Sequence, residues 1–176
     1  QDRRSSSEKV ILISLPGAGM VNESLGIIKS YLLIANNLDK NTRVIVKPHP
    51  TFTRKQLMKV ALEFSDYRLK YTSKKIPKLL ESANVVISAA SSVSVEAVAV
   101  GIPVAIYGSR YGITMNPIPS YVPSNIWSIF YSEVQLERFI KKALKKRGRT
   151  SIAHKLFTPV NKKNTTELFE YAKKTI

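Results

Sequence analysis

Apolar positions along the chain follow two rhythms that take turns. The first is the short unbroken run, seen in Val10-Ile-Leu-Ile-Ser-Leu15, Arg43-Val-Ile-Val46, Val85-Val-Ile-Ser88 and Val104-Ala-Ile-Tyr107. Runs this short, rich in β-branched residues and without polar alternation, predict strands covered on both faces. The second is a helical period, as in Leu25, Ile28, Leu32 and Ala35 behind Asn22, or Leu136, Phe139, Ile140, Ala143 and Leu144 near the end. Further helices are expected near Arg54 to Phe64, Ile76 to Ser82, Ser92 to Val100 and Thr166 to Lys174, with short strands at Tyr67 to Tyr71 and Trp127 to Phe130. Pro16-Gly17-Ala-Gly19 ends the first strand, and Gly101-Ile-Pro103 ends one helix and opens the next strand. Buried strands alternating with helices predict an α/β fold with a doubly wound parallel sheet. The long irregular stretch from Gly108 to Asn125, with Pro117, Pro119 and Pro123, should lie over the strand ends.

With 176 residues and 44% hydrophobic content, the chain suffices for one ordinary core and is short for two. A single domain over residues 10–176 is therefore expected, behind a polar, flexible leader over 1–9. The leader lacks an initiator Met and reads as a cut from a longer chain whose other part lies upstream. No apolar run reaches the roughly 18 residues that span a bilayer, and no signal peptide is visible, so a cytoplasmic location is expected. Zero cysteines exclude disulfides and thiolate metal sites, and no metal site is expected. The 28 Lys and Arg against 12 Asp and Glu leave a net charge of +16, which calls for a polyanionic neighbour. Nucleic acid, phospholipid headgroups, an acidic glycan or an acidic partner domain would each serve.

In open parallel sheets, ligands bind beyond the carboxyl ends of the strands, where helix N-termini offer free amides. Three post-strand loops have unusual composition. In the first, Gly17 and Gly19 allow close backbone approach or positive φ, but the lysine of a P-loop and the third glycine of a dinucleotide fingerprint are missing. An ordinary turn into a helix is the better account of it. In the second, Lys47-Pro48-His49-Pro50, flanking prolines force extended backbone and leave His49 little freedom beside a lysine. A rigid imidazole there suits a phosphate, as hydrogen-bond donor or proton donor. The third, Ser88-Ala-Ala-Ser91-Ser92-Val-Ser94-Val-Glu96, gathers hydroxyls and first-turn amides. N-capping by Ser91 or Ser92 accounts for one serine only. Glu96 shares a helix face with Ser92 inside an apolar segment, so its carboxylate needs a polar partner such as a ribose hydroxyl pair.

These motifs, with Gly101-x-Pro103-Val after them, resemble the C-terminal, Rossmann-like domain of GT-B glycosyltransferases. The likeness covers about Val10 to Gly108. The motifs are especially similar to those of bacterial sialyl- and Kdo-transferases and related surface-polysaccharide proteins. The resemblance implies one half of a GT-B fold that binds a nucleotide-sugar donor, CMP-linked by preference, as substrate without metal or other cofactor. His49 would contact the donor phosphate with Lys47 beside it, Ser91 and Ser92 the phosphate or nucleotide, and Glu96 the ribose, with Gly17 and Gly19 in the adjoining turn. It also implies a glycan or glycolipid acceptor and a catalytic base on an N-terminal domain, so the isolated chain is expected to be inactive.

Two other readings stand beside it. A nucleotide-sugar 2-epimerase shares the architecture but needs further carboxylates at the cleft, where the candidate loops offer Glu23 and Glu96. A non-catalytic nucleotide or polyanion-binding module would use the charge alone. The basic residues Arg138, Lys141, Lys142, Lys145, Lys146, Arg147 and Arg149 form either a solvated helix face or a contact with anionic membrane or glycan, peripheral on the inner face of the membrane. Nucleic acid is disfavoured, since no RNP-type aromatic pattern, helix-turn-helix or zinc motif accompanies the charge. His154 has no motif partner and reads as structural or exposed, whereas Arg110, Tyr111 and Asn116 are assigned to the rim of the donor pocket.

Overall fold

In the computed structural model, six strands form one sheet in the order β3-β2-β1-β4-β5-β6, every adjacent pair parallel. The strands are β1 (Lys9–Ser14), β2 (Thr42–Lys47), β3 (Leu69–Tyr71), β4 (Val85–Ser88), β5 (Val104–Tyr107) and β6 (Trp127–Phe130). The helices are α1 (Val21–Ile34), α2 (Ile76–Leu80), α3 (Ser92–Ala99) and α4 (Glu133–Lys145). The structure describes residues 8–53, 55–56, 58–59, 68–109, 114–146, 148–149, 151–152 and 156. Residues 55, 56, 58 and 59 are helical, in line with the helix expected there; the rest of that segment, the terminal helix and His154 lie outside the described residues.

The unbroken apolar runs are explained by what covers them. Ile11 and Ile13 of β1, Val85 and Ile87 of β4 and Ala105 of β5 point into a core with Ile27, Ile28 and Tyr31 of α1 and Leu136 and Ile140 of α4. Leu12, Val86, Val104 and Ile106 point the other way, against Leu79 and Leu80 of α2, Val93, Ala97 and Val98 of α3, and Ile118, Val122 and Ile126 of the long loop. Successive strand residues alternate between faces, so two buried faces leave the interiors of the central strands apolar, with Ser14 and Ser88 only at their ends. The described part of the irregular stretch before β6 thus covers one sheet face, where it was expected over the strand ends. β1 already begins at Lys9, within the expected leader.

Two places depend on specific residues. Gly101 ends α3 with φ +79°, the left-handed conformation that glycine accepts without strain. Gly26 lies where a Cβ would drive into the phenol ring of Tyr107, and that ring is held edge-on to Phe130 with centroids 5.6 Å apart. Gly26→Ala is therefore expected to destabilise by up to about 2 kcal/mol, the overpacking cost of about 1–3 kcal/mol less the roughly 1 kcal/mol that Ala gains over Gly in a helix. Denaturant unfolding checks this. In a Tyr107→Leu background the same substitution should turn neutral or stabilising, and an equal loss in both backgrounds would contradict the contact.

Arg149 departs from its expected place on the basic helix face. α4 ends at Lys145, and Arg149 turns back to donate to the carbonyls of Leu80 at 2.9 Å, Glu81 at 3.1 Å and Ala83 at 2.5 Å. These carbonyls end α2, whose last acceptors lack helical donors, so Arg149 serves as a brace and not as part of a free cationic surface. No described helix is long and apolar enough to cross a membrane.

Candidate functional site

The strand order reverses direction between β1 and β4. β1 continues into α1 on one face of the sheet, and β4 into α3 on the other, which opens a crevice between the two departing chains. At the last rung, Ser14 of β1 pairs with Lys47 of β2, while Ser88 of β4 donates its hydroxyl to the Ser14 carbonyl at 3.0 Å. All three unusual loops leave the sheet from this row. The sheet therefore brings together segments that the sequence separates by more than 70 residues.

The glycine turn packs against the histidine loop. A Cβ on Gly17 would meet Thr51 Oγ1 at 3.6 Å and His49 Nδ1 at 3.8 Å, which is ordinary contact. Gly17 has φ −60°, and neither it nor Gly19 takes a positive φ, so conformational need does not explain these glycines. Around Gly19 a side chain would meet open space.

His49 is held by a residue that sequence reasoning missed. Thr51 Oγ1 lies 2.8 Å from His49 Nδ1, and the Thr51 backbone N–H donates to the same nitrogen at 3.2 Å. An amide can only donate, so Nδ1 is the acceptor and the neutral ring carries its proton on Nε2. The Phe52 N–H donates to the His49 carbonyl at 3.0 Å, closing a turn with Pro50 inside it, and buried Phe52 anchors that turn. The backbone is thus extended into His49 but turns immediately after it, where both prolines were expected to keep it extended. The signal for Thr51 was a hydroxyl residue two positions after His49. Lys47 leans away from the crevice, its Nζ 3.5 Å from the Ser73 carbonyl behind β3.

The serines of the third loop divide by role. Ser88 ties β4 to β1, buried Ser94 donates to the Ala89 carbonyl at 3.4 Å, and Ser91 caps α3 by accepting from the Val93 N–H at 3.3 Å. Only Ser92 among them is exposed and without a bond among the described residues, at the first turn of α3. Glu96 follows one turn later, half-buried, with no polar partner among the described residues. The free hydroxyl of Ser92 and the positive dipole end of α3 suit an anion, although Ser91 already takes the Val93 and Ser94 amides of that turn, and the carboxylate beyond them suits a hydroxyl pair.

Other expectations fare unevenly. Asn116 braces its own loop, donating to the Ile118 carbonyl at 3.2 Å and accepting from the Ile118 N–H at 3.0 Å. That spends its amide on backbone and not on a pocket rim. Arg110 and Tyr111 lie outside the described residues. A third carboxylate reaches the same sheet edge as Glu23 and Glu96: Glu133, at the start of α4, accepts from the Ser30 hydroxyl at 3.4 Å.

No protein-family model and no curated protein sequence matches the chain. Solved structures do. The UDP-GlcNAc 2-epimerase of Methanocaldococcus jannaschii superposes with a TM-score of 0.64 at 16% identity, over 93% of this chain and 46% of that one. The fold is that of a GT-B C-terminal domain. S. aureus MnaA, in a co-structure with UDP, matches at a TM-score of 0.59 and 13% identity, over 80% of this chain and 37% of that one. TarM matches at 0.56 and 13%, over 81% and 30%. The chain thus spans less than half the length of each of these proteins.

The His49 geometry predicts its tautomer. In nitrogen-resolved NMR at a pH where the ring is neutral, Nδ1 should give the resonance of an unprotonated nitrogen and Nε2 that of a protonated one. A proton on Nδ1 would contradict the Thr51 bonds.

Proposed function

We propose that this chain is the donor-binding domain of a glycosyltransferase that uses a nucleotide-activated sugar. The observation that carries the reading is that the loops bearing His49, Ser92 and Glu96 leave the same edge of the sheet beside the β1/β4 switch point. Each offers a group that has no partner among the described residues: a donor at Nε2, a hydroxyl and a carboxylate. Nε2–H of His49 and the first turn of α3 would hold the diphosphate or phosphate of the donor, and Glu96 its ribose. Stabilising charge on a departing nucleotide is the chemistry such a donor requires, and a rigid N–H donor with the Ser92 hydroxyl at the positive end of the α3 dipole supplies it. The structural likenesses support a nucleotide ligand, since MnaA was seen with UDP and the M. jannaschii epimerase with UDP-GlcNAc and UDP.

Within this reading, a CMP-linked donor follows from the motif resemblance, and a uridine nucleotide is the alternative that the structural neighbours favour. The acceptor is a glycan or glycolipid of bacterial surface-polysaccharide synthesis, in the cytoplasm. The acceptor-side base belongs to an N-terminal half, without which the chain does not turn over. Peripheral attachment to the inner face of the membrane then rests on charge alone, because α4 spends its apolar face on the core.

One observation favours a second reading, a nucleotide-sugar 2-epimerase domain: several of the matching structures are such epimerases. Among the described residues, Glu23, Glu96 and Glu133 are the carboxylates at this sheet edge, and Ser30 already bonds Glu133.

Calorimetric titration with CMP, UDP, GDP and a generic RNA oligomer tests the reading. One nucleotide should bind saturably, and His49→Ala and Ser92→Ala should each weaken it about tenfold, the loss of one charge-assisted hydrogen bond. RNA binding that falls with salt, with no nucleotide signal, would overturn it.

A further inference from the structure

We propose that the groove between helix α4 and β6, the outermost strand among the described residues, holds a linear acidic polysaccharide, so that the acceptor or product glycan is anionic. Only the acceptor assignment rests on the transferase reading; the groove and its charge stand without it.

The groove has a volume of about 580 Å³ and runs along the last strand of the sheet. Its helical wall carries Arg138 and Lys142 four residues apart, and Lys146 follows as the residue that caps the end of α4. Four residues of helix rise about 6 Å, so the cations form a row with that spacing and not a cluster. A row suits a chain with one charge per sugar or two better than it suits a single phosphate. Arg138, Lys142 and Lys146 make no ion pair among the described residues. Their neighbour Lys141 is spent, bonded at 2.6 Å to Glu137, whose carboxyl that bond and Asn37 hold below the usual carboxylate range. The cations facing the groove are therefore those left uncompensated.

The opposite wall is hydroxyl and amide. Ser124, Asn125 and Ser128 line it, and Gln135 stands at the far end. Ile126 and Phe130 direct their carbonyls to β5, accepting from Val104 and Gly108, so by alternation Trp127 and Ile129 turn their backbone groups to the outer edge, where the Ile129 carbonyl accepts from the Ser128 hydroxyl at 3.3 Å. Such a wall matches sugar hydroxyls.

Two other polyanions fit less well. Single-stranded nucleic acid binds on aromatic platforms, and the one aromatic in this groove, Phe139, is half-buried against the core. A membrane surface is broad and wants apolar groups to insert, whereas this site is concave and the apolar face of α4 is buried.

The test is binding of the full chain to polysialic acid, with neutral dextran, an RNA oligomer and vesicles of equal parts phosphatidylglycerol and phosphatidylcholine as the other arms. Lys142→Glu with Lys146→Glu should weaken polysialic acid binding about tenfold or more at physiological salt, while Lys40→Glu with Lys70→Glu, an equal change of net charge at the other end of the sheet, should weaken it about twofold at most. All four positions are exposed, and unchanged thermal melting confirms that the variants fold. Equal losses in the two pairs would overturn the proposal by making the attraction general. So would dextran binding as well as polysialic acid, or RNA or vesicles binding more tightly through the same two lysines. Nucleotide titration of the Lys142/Lys146 variant keeps the two ideas apart: intact nucleotide binding with lost glycan binding supports the groove, and absent nucleotide binding in every variant counts against the donor site alone.

Discussion

The structure depends on one constraint: every strand is parallel to its neighbours, and β1, β4 and β5 are buried on both faces. Parallel strands need a crossover for each return, so every loop that follows a strand emerges at the same edge. With β1 and β4 adjacent and their crossovers on opposite faces, that edge must open between them. The bond from Ser88 to the Ser14 carbonyl fastens the two strands where the opening begins. The position of the candidate site is thus a consequence of topology, and the loop residues decide what it can hold.

Those residues share a pattern of division between structure and availability. Ser91 caps α3, Ser94 and Ser88 bond backbone carbonyls, and Thr51 bonds His49, which leaves Ser92, Glu96 and Nε2 of His49 facing outward. The cationic residues divide in the same way. Arg149 closes the end of α2 and Lys141 pairs with Glu137, while Arg138, Lys142 and Lys146 face an open groove. A residue's type marks it as a candidate, and its hydrogen-bond partners decide whether it is free to act.

This division also explains what was legible in the sequence. The strands and helices of the core were, because burial on two faces leaves unbroken apolar runs and burial on one leaves a helical period; Val85–Ser88 and Glu133–Lys145 fall where that logic puts them. The clustering of the three loops was legible through the general geometry of parallel sheets. The partners were not. That Pro50 turns the chain so that Thr51 can seize His49, that Arg149 reaches back some 69 residues to Leu80, and that Asn116 serves its own loop all depend on tertiary placement that no local pattern encodes. Glu133 escaped notice because its helix follows β6, remote in sequence from the motifs although its first turn lies at the same edge.

The proposed donor site places a nucleotide in the crevice at the β1/β4 switch point. A crystal structure of the chain soaked with CMP or UDP tests it most directly. The account predicts phosphate density within hydrogen-bond reach of His49 Nε2 and the first turn of α3, with the ribose beside Glu96. Nucleotide density elsewhere, such as among Arg138, Lys142 and Lys146, with the crevice left empty, would contradict it.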